Sequence, residues 1–406
     1  MSPQAMFLFV NTYIMHHHSR IGIIGAGPAG LTLALLLQRS GIPCVILENR
    51  SRDYVESRVR AGLLEQNTVD LLQELGAGAR LAAEGLEHHG VIFSFNGNRI
   101  RVPFDELTGG RRITIYGQQE VVKDLIATVL SRGIDIHFEA EATAIEGIDS
   151  TQSAIHFTQN GAAHTLRCDV VAGCDGFHGI SRKTMPPGSY REFRHEYPFS
   201  WLGILANIAP SSDELIYAYH ERGFALHSLR SPSVSRLYLQ VDNEDKIDAW
   251  PDERIWEELS IRLGTEGWSL QSGPIFEKTI TPMRSFMIDN MQHGRLFLAG
   301  DAAHIVPPTG GKGLNLAVAD IRWLAQALIH FYDTQQNDLL EQYSTNCLRR
   351  IWRAQDFSNF MTRLFHKQAE HGSYENLLQK AKFDYIGSSQ AQATTIAENY
   401  VGLKDI

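Results

Sequence analysis

The segment Ile21-Gly-Ile-Ile-Gly-Ala-Gly-Pro-Ala-Gly30 sets glycines at 25, 27 and 30 between a β-branched run and an apolar one. That spacing suits phosphate chemistry. Gly25 allows a tight turn, Gly27 lets the backbone approach a pyrophosphate, and Gly30 lets a helix pack closely on a strand. The helix that follows offers free N–H groups and partial positive charge to the phosphates. Glu48 stands about 20 residues further on, where an acid at a strand end grips ribose hydroxyls. Alone, the motif could be a glycine-rich turn without a ligand. A distant second segment completes it: Gly300-Asp-Ala-Ala-His-Ile-Val-Pro-Pro-Thr-Gly-Gly-Lys-Gly-Leu-Asn315. Asp301 can accept bonds from sugar-chain hydroxyls, or only cap a helix. Gly310, Gly311 and Gly313 permit close backbone approach, and Lys312 adds positive charge. A helix starting near Leu314 and Asn315 would aim its positive end at a flavin ring. A plain dinucleotide needs no second segment. A flavin nucleotide does, because its ribityl chain and ring extend away from the first loop. The pair of segments points to FAD.

The elements that must hold these groups follow in order. Residues 20–24 read as a buried parallel strand. Residues 31–39 read as a helix opened by Pro28 and ended by Gly41. Residues 44–47 read as a second strand, giving a βαβ unit. Residues 91–102 alternate in strand fashion, 120–132 are helical, and 154–157 with 165–171 look like paired strands. From 192 to 240, aromatic-rich runs broken by Pro, Gly and Ser predict a second, mainly antiparallel sheet. Residues 255–263, a long stretch after Gly313 and most of the tail read as helices. The expected fold is α/β: an FAD-binding, Rossmann-like domain interleaved with a mainly antiparallel substrate sheet domain and a helical C-terminal region. Residues 20–87, 108–188 and 281–325 are assigned to the first, 88–107 and 189–280 to the second, and 326–406 to the third.

With 406 residues, 43% hydrophobic and 20% charged, the chain has the composition of a folded protein of about two domains. A net charge of −9 without a long basic run argues against nucleic acid. No apolar stretch is long enough to span a bilayer. Cys44, Cys168, Cys174 and Cys347 lack CxxC spacing. That argues against a disulfide framework or a cysteine metal site and fits a reducing cytoplasm. Residues 1–19 read as an unstructured extension, with Met15 as a candidate start. Its His16-His17-His18 tract could bind metal or be a vector remnant.

Cys174-Asp-Gly-Phe-His-Gly-Ile-Ser-Arg182 by itself reads as a turn in which Asp175 and Gly176 serve geometry. Taken with the glycine motif and Gly300-Asp301, it makes the chain resemble the single-component FAD-dependent aromatic hydroxylases. The likeness runs from about Arg20 to Leu403. It is carried further by Arg58-Val-Arg-Ala-Gly62, Tyr116-Gly-Gln118, Glu214-Leu-Ile-Tyr217, Arg222-Gly-Phe-Ala-Leu226 and Thr395-Ile-Ala-Glu-Asn-Tyr400. It is strongest with members acting on 4-hydroxybenzoate. The resemblance implies FAD, a nicotinamide donor (NADPH or NADH), O2 as co-substrate, no metal, and a homodimer that converts 4-hydroxybenzoate to 3,4-dihydroxybenzoate.

A phenolic acid needs a cation for its carboxylate, partners for its phenol and apolar walls for its ring. Arg230 can clamp a carboxylate, Ser228 shares its strand face by alternation, and Tyr238 offers a hydroxyl. The resemblance assigns these three to the carboxylate and Tyr217 and Tyr400 to the phenol. It puts His88 at the outer end of a proton path, where a group titrating near neutrality is apt. The Pro308 carbonyl is expected to meet the substrate hydroxyl, with Trp201, Leu215 and Leu226 as walls. Arg58 and Gln118 match FAD-side positions. Arg60, His178, Arg182 and Arg284 match positions linked to the donor or to pyrophosphate, and Tyr54 matches one linked to NADPH preference. Asn49 departs from the arginine of NADPH users, which leaves NADH open. His227 replaces a family cysteine and is expected to point away from the pocket. Without the resemblance, Arg230 would read as a solvated strand end and His88 as a surface histidine. Alternatives are the same fold acting on 3-hydroxybenzoate and a non-catalytic FAD module. The joint presence of Tyr217, Ser228, Arg230, Tyr238, Pro308 and Tyr400 argues against the first of these.

Overall fold

The first strand runs His16–Ile24 and buries Ile21, Ile23 and Ile24. The computed structural model, which describes residues 16–402, therefore begins this strand before the expected residue 20. His16 to Ser19 lie in register with Thr165 to Cys168. Backbone pairing, not apolarity, sets where a strand begins. Residues 1–15 of the expected extension lie outside the described residues.

The expected βαβ unit is present: strand His16–Ile24, helix Pro28–Arg39, then strand Cys44–Leu47 parallel to the first. It sits in an eight-stranded sheet. Leu296–Leu298, Ala162–Gly173, His16–Ile24, Cys44–Leu47 and Asp135–His137 run parallel through its centre. Strand Ser153–Gln159 extends it antiparallel. Two fingerprint glycines are dictated by contact. Gly25 has φ +107, and a Cβ there would lie 2.3 Å from the Cys174 carbonyl oxygen. A Cβ on Gly30 would lie 2.0 Å from the Gly25 oxygen, so only glycine lets the helix seat on the turn. A Cβ on Gly27 would meet nothing within 4 Å, so that glycine opens onto free space at the helix N-terminus.

The second sheet orders His304–Ile305, Ile275–Ile288, Glu192–Ala206, Val234–Val241, Ala225–Ser231, Ile216–Tyr219, Gly90–Phe95 and Asn98–Pro103. All its pairings are antiparallel except Ile216–Tyr219 with Gly90–Phe95. The two-residue period sorts its side chains. One face carries Trp201, Tyr217, Leu226 and Tyr238 into an aromatic core. The other carries Leu202, Ile216, Leu237 and Leu239 under helix Asp252–Leu263. A three-stranded sheet (Leu63–Glu65, Ile113–Ile115, Leu86–His88) is interleaved with them in sequence. Helices Gly313–Thr334, Tyr343–Phe365, Tyr374–Ser388 and Gln390–Val401 close the chain, and the first of them packs on Pro28–Arg39. The division drawn from sequence cuts elements at five of its boundaries: residue 20 falls inside His16–Ile24 and residue 108 ends helix Phe104–Thr108. Residue 88 ends a strand of the small sheet, residue 281 falls inside Ile275–Ile288, and residue 325 falls inside Gly313–Thr334. Among the described residues no helix is long and apolar enough to cross a membrane.

The glycine contacts yield a paired prediction for the protein stripped of nucleotide. Gly30→Ala should cost about 1–3 kcal/mol of unfolding free energy through overpacking. Gly27→Ala should stay within about 0.5 kcal/mol. Denaturant unfolding of both variants checks this, and equal losses would refute the assignment of separate roles.

Candidate active site

The nucleotide side is built from two helix N-termini. The first turns of Pro28–Arg39 and Gly313–Thr334 leave N–H groups without intrahelical acceptors. Cβ atoms on Gly27 and Gly313 would meet nothing within 4 Å, so both termini open onto clear space. Glu48 is buried, and its carboxylate accepts from Ala26 N at 2.8 Å and Arg50 N at 2.9 Å. It holds the glycine loop to the second strand while keeping lone pairs for a ribose. Asp301 is half-exposed with Arg60 Nη1 at 3.9 Å. Gln118 opens helix Gln118–Ser131. Tyr54 is exposed, with Arg50 and Arg58 over its ring at 5.3 and 6.0 Å. Arg50 thus supplies a cation beside Asn49. Gly311 has φ +64, and a Cβ there would meet Leu63 at 2.8 Å. These groups fit an FAD.

Three expected contacts are corrected by the geometry. The Lys312 ammonium is buried, not free. It donates to Glu65 Oε1 at 2.8 Å, to the Tyr400 carbonyl at 3.0 Å and to the Asn399 carbonyl, while Arg350 binds the other Glu65 oxygen at 2.7 Å. Burial pushes its pKa down, and Glu65 holds it up. It joins the glycine loop to the C-terminal helix. The Asn315 amide is likewise spent: Oδ1 accepts from Glu65 N and Thr68 Oγ1, and Nδ2 donates to the Leu63 and Gly311 carbonyls. Only the backbone N–H of Leu314 and Asn315 could face a cofactor. Arg182 is buried between the rings of Phe177 and Phe286, each 4.7 Å away, and donates to the carbonyls of Ala302 and Phe177. It has no guanidinium face left for a nicotinamide donor. Arg284, exposed above Phe177 at 4.5 Å, and the exposed His178 remain open. Asp175 accepts from Ser181 N and Oγ, the turn role the sequence suggested.

The pocket side lies on the aromatic face of the second sheet. Tyr400 OH donates to Tyr217 OH at 2.6 Å, and Gly310 N donates to the same oxygen at 3.3 Å. With both lone pairs engaged, the Tyr217 proton points elsewhere. Both rings are buried, which raises the Tyr217 pKa to about 12 and holds that of Tyr400 well above the usual phenol range. Alternation puts Leu226, Ser228 and Arg230 on this face. Leu215 and Trp201 are buried; Ser228 is nearly so, and Tyr238 is half-buried with its ring 4.7 Å from Trp201. Arg230 Nη1 donates to the Arg60 carbonyl at 3.0 Å, and Nη2 binds Gln119. Burial and the neighbouring Arg236 lower its pKa to about 10, so it stays cationic at neutral pH. The Pro308 carbonyl already accepts from Gly311 N at 3.0 Å, leaving one lone pair for a ligand.

His88 is buried, not exposed, and neither ring nitrogen has a protein partner. Burial lowers its pKa to about 4, so it is neutral at pH 7 instead of titrating there as expected. His227 points away from the aromatic face, as alternation requires, and Nε2 accepts from Ser211 N at 3.0 Å. Sequence reasoning missed Gln119 and Arg236. Arg236 lies opposite Ser228 in register, 5.3 Å over the Tyr238 ring, with Nη1 buried and unpartnered. Its strand alternation with Tyr238 was the available signal.

A family model described as an FAD binding domain matches residues 18–358. A protein of Acinetobacter baylyi described as p-hydroxybenzoate hydroxylase is 47% identical over 386 residues, spanning 95% of each chain. A 3-amino-4-hydroxybenzoate 2-monooxygenase of Streptomyces platensis is 25% identical over 84% of this chain and 87% of its own. Among solved structures, p-nitrophenol 4-monooxygenase from Pseudomonas putida superposes with a TM-score of 0.82 at 18% identity, covering 96% of this chain and all of that one, which speaks to the fold. With a family model spanning most of its length and a relative at this identity, the chain belongs to the FAD-dependent aromatic-ring hydroxylases.

Proposed function

We propose that this enzyme hydroxylates 4-hydroxybenzoate to 3,4-dihydroxybenzoate, consuming O2 and NADPH or NADH. The Tyr400–Tyr217–Gly310 hydrogen-bond chain, on the same sheet face as Ser228, Arg230 and Tyr238, carries this reading. Bound FAD, reduced by the nicotinamide donor, supplies the activated oxygen. The residues do the rest. Arg230 takes the carboxylate in a charge-assisted pair, exchanging its Gln119 contact, with the Ser228 and Tyr238 hydroxyls alongside. Trp201, Leu215 and Leu226 confine the ring and exclude water. At the far end Tyr217 OH meets the phenol oxygen, and the free lone pair of the Pro308 carbonyl holds the same group.

Ring attack needs electron density ortho to the phenol oxygen, which removal of the phenol proton provides. When the Tyr400 hydroxyl rotates, Tyr217 can accept that proton and pass its own to Tyr400. Because both tyrosines are held protonated by burial, neither stores the charge, and the proton moves through in concert. His88, buried with both ring nitrogens unpartnered, is the candidate next station, reached through water. Arg50 and Arg58 around Tyr54 support NADPH as the preferred donor despite Asn49. Family likeness supports a homodimer in the cytoplasm.

A panel of hydroxybenzoates, scored for stimulated NAD(P)H oxidation and for product, tests the substrate. Only the 4-hydroxy acid should give stoichiometric catechol; strong turnover of the 3-hydroxy acid would redirect the assignment. Tyr217→Phe should bind substrate within about threefold yet slow hydroxylation by 10²-fold or more, on the order of a lost general base. Unchanged product per NAD(P)H would remove Tyr217 from this role. Arg230→Ala should weaken 4-hydroxybenzoate binding by about 2–3 kcal/mol, the worth of a charged hydrogen-bond pair. A titration of flavin absorbance that finds an unaltered dissociation constant would contradict the clamp.

A further inference from the structure

The last turn of helix Tyr343–Phe365 and the residue after it touch several walls of the candidate pocket. The Thr362 and Thr309 hydroxyls share a hydrogen bond of 2.9 Å, next in sequence to Pro308. The Phe365 ring lies 5.6 Å from that of Tyr217. His366 is fully buried between two ring systems, stacked 4.5 Å from Phe199 and 4.3 Å from Phe224. Its partners fix its state. Nδ1 lies 2.8 Å from the Thr362 carbonyl, which can only accept, so Nδ1 carries the proton. Nε2 lies 2.6 Å from Trp201 Nε1, which can only donate, so Nε2 accepts. The imidazole is neutral and locked in one tautomer. Its backbone is tied in turn, since His366 N donates to the Thr362 carbonyl.

Trp201 is the substrate-side end of this ladder. Its indole stacks on Phe224 at 5.2 Å and 16°, and tilts against the Tyr238 ring at 4.7 Å and 50°. Stacking sets the plane of an aromatic ring but leaves it free to slide in that plane. The N–H bond to His366 removes the slide. We propose that His366 is a positioning residue for hydroxylation. By accepting the indole N–H it fixes the edge of Trp201 that bounds the substrate ring, and with it the Tyr238 hydroxyl. The proposal rests on the 4-hydroxybenzoate reading above. A loosened indole lets the bound ring shift relative to the site of oxygen activation. Reducing equivalents are then lost as peroxide.

The test uses the FAD-loaded enzyme and four variants. His366→Leu should raise the 4-hydroxybenzoate dissociation constant about tenfold, the loss of one buried hydrogen bond, and lower product per NAD(P)H. His366→Gln, whose amide oxygen can replace Nε2 as acceptor, should stay within roughly twofold of wild type on both readouts. Leu259→Ala, buried on the opposite face of the sheet, should lower the Tm while leaving both unchanged. Trp201→Phe keeps a ring but no donor and should reproduce the loss of coupling, which carries the test if His366→Leu does not fold. Equal effects of Leu and Gln at His366, or full coupling in Trp201→Phe, would overturn the proposal. A wild-type enzyme that ignores 4-hydroxybenzoate would instead overturn the substrate reading, and the same variants would be compared with the hydroxybenzoate that does stimulate oxidation.

Discussion

The candidate site is organised around one buried oxygen. Tyr217 OH receives hydrogen bonds from Tyr400 OH and Gly310 N. Those three residues come from the middle of the second sheet, the glycine-rich loop and the last helix. A buried hydroxyl costs several kcal/mol if left unpaired, so the loop and the helix must both be present and correctly placed. The Lys312–Glu65–Arg350 cluster meets that demand from the other side. Lys312 sits two residues beyond Gly310 in the loop and donates to the Tyr400 carbonyl. Breaking such a buried ion cluster costs about 3–5 kcal/mol. The residues that hold the C-terminal helix therefore also hold the proposed proton path, and they bring Tyr400 beside the glycine-rich loop although it is far from the nucleotide motif in sequence.

The parallel sheet and the antiparallel sheet divide the labour. The first carries turns whose glycines are forced by contact at Gly25 and Gly30 and left open at Gly27. The second uses a two-residue period to send one set of side chains to the aromatic face of the candidate site and the other to a conventional core. Gly203 shows how closely that face is packed, because a Cβ there would come within 3.3 Å of the Tyr238 ring. Arg230 then ties the second sheet to the segment before Leu63–Glu65, with its backbone in that sheet and its guanidinium on the Arg60 carbonyl.

What the sequence made legible was local. Period, turn chemistry and the fingerprint identified the βαβ unit, the antiparallel sheet and the face on which Ser228 and Arg230 lie. The FAD assignment followed from the two glycine segments together. What stayed hidden depended on partners far away in the chain. Nothing near Lys312 announces Glu65, nothing near Arg182 announces the Phe286 ring and the Ala302 carbonyl, and nothing near Trp201 announces His366. A charged residue read from its neighbours looks available for a ligand, while burial commits it to a protein partner. His88 is the converse case. Its local sequence suggests a surface histidine, and the fold buries it with both nitrogens unpartnered.

In the proposed reaction a buried pair of tyrosines takes the phenol proton from bound substrate. The most direct measurement is the ultraviolet difference spectrum of enzyme-bound 4-hydroxybenzoate across the neutral pH range, in wild type and in Tyr400→Phe, with proton release followed by an indicator dye. The structure predicts that wild type binds a measurable fraction as phenolate, well below the pH at which the free acid ionises, with matching proton release. Tyr400→Phe should bind the neutral phenol and release none. Equal phenolate in both proteins would exclude the tyrosine pair from this role.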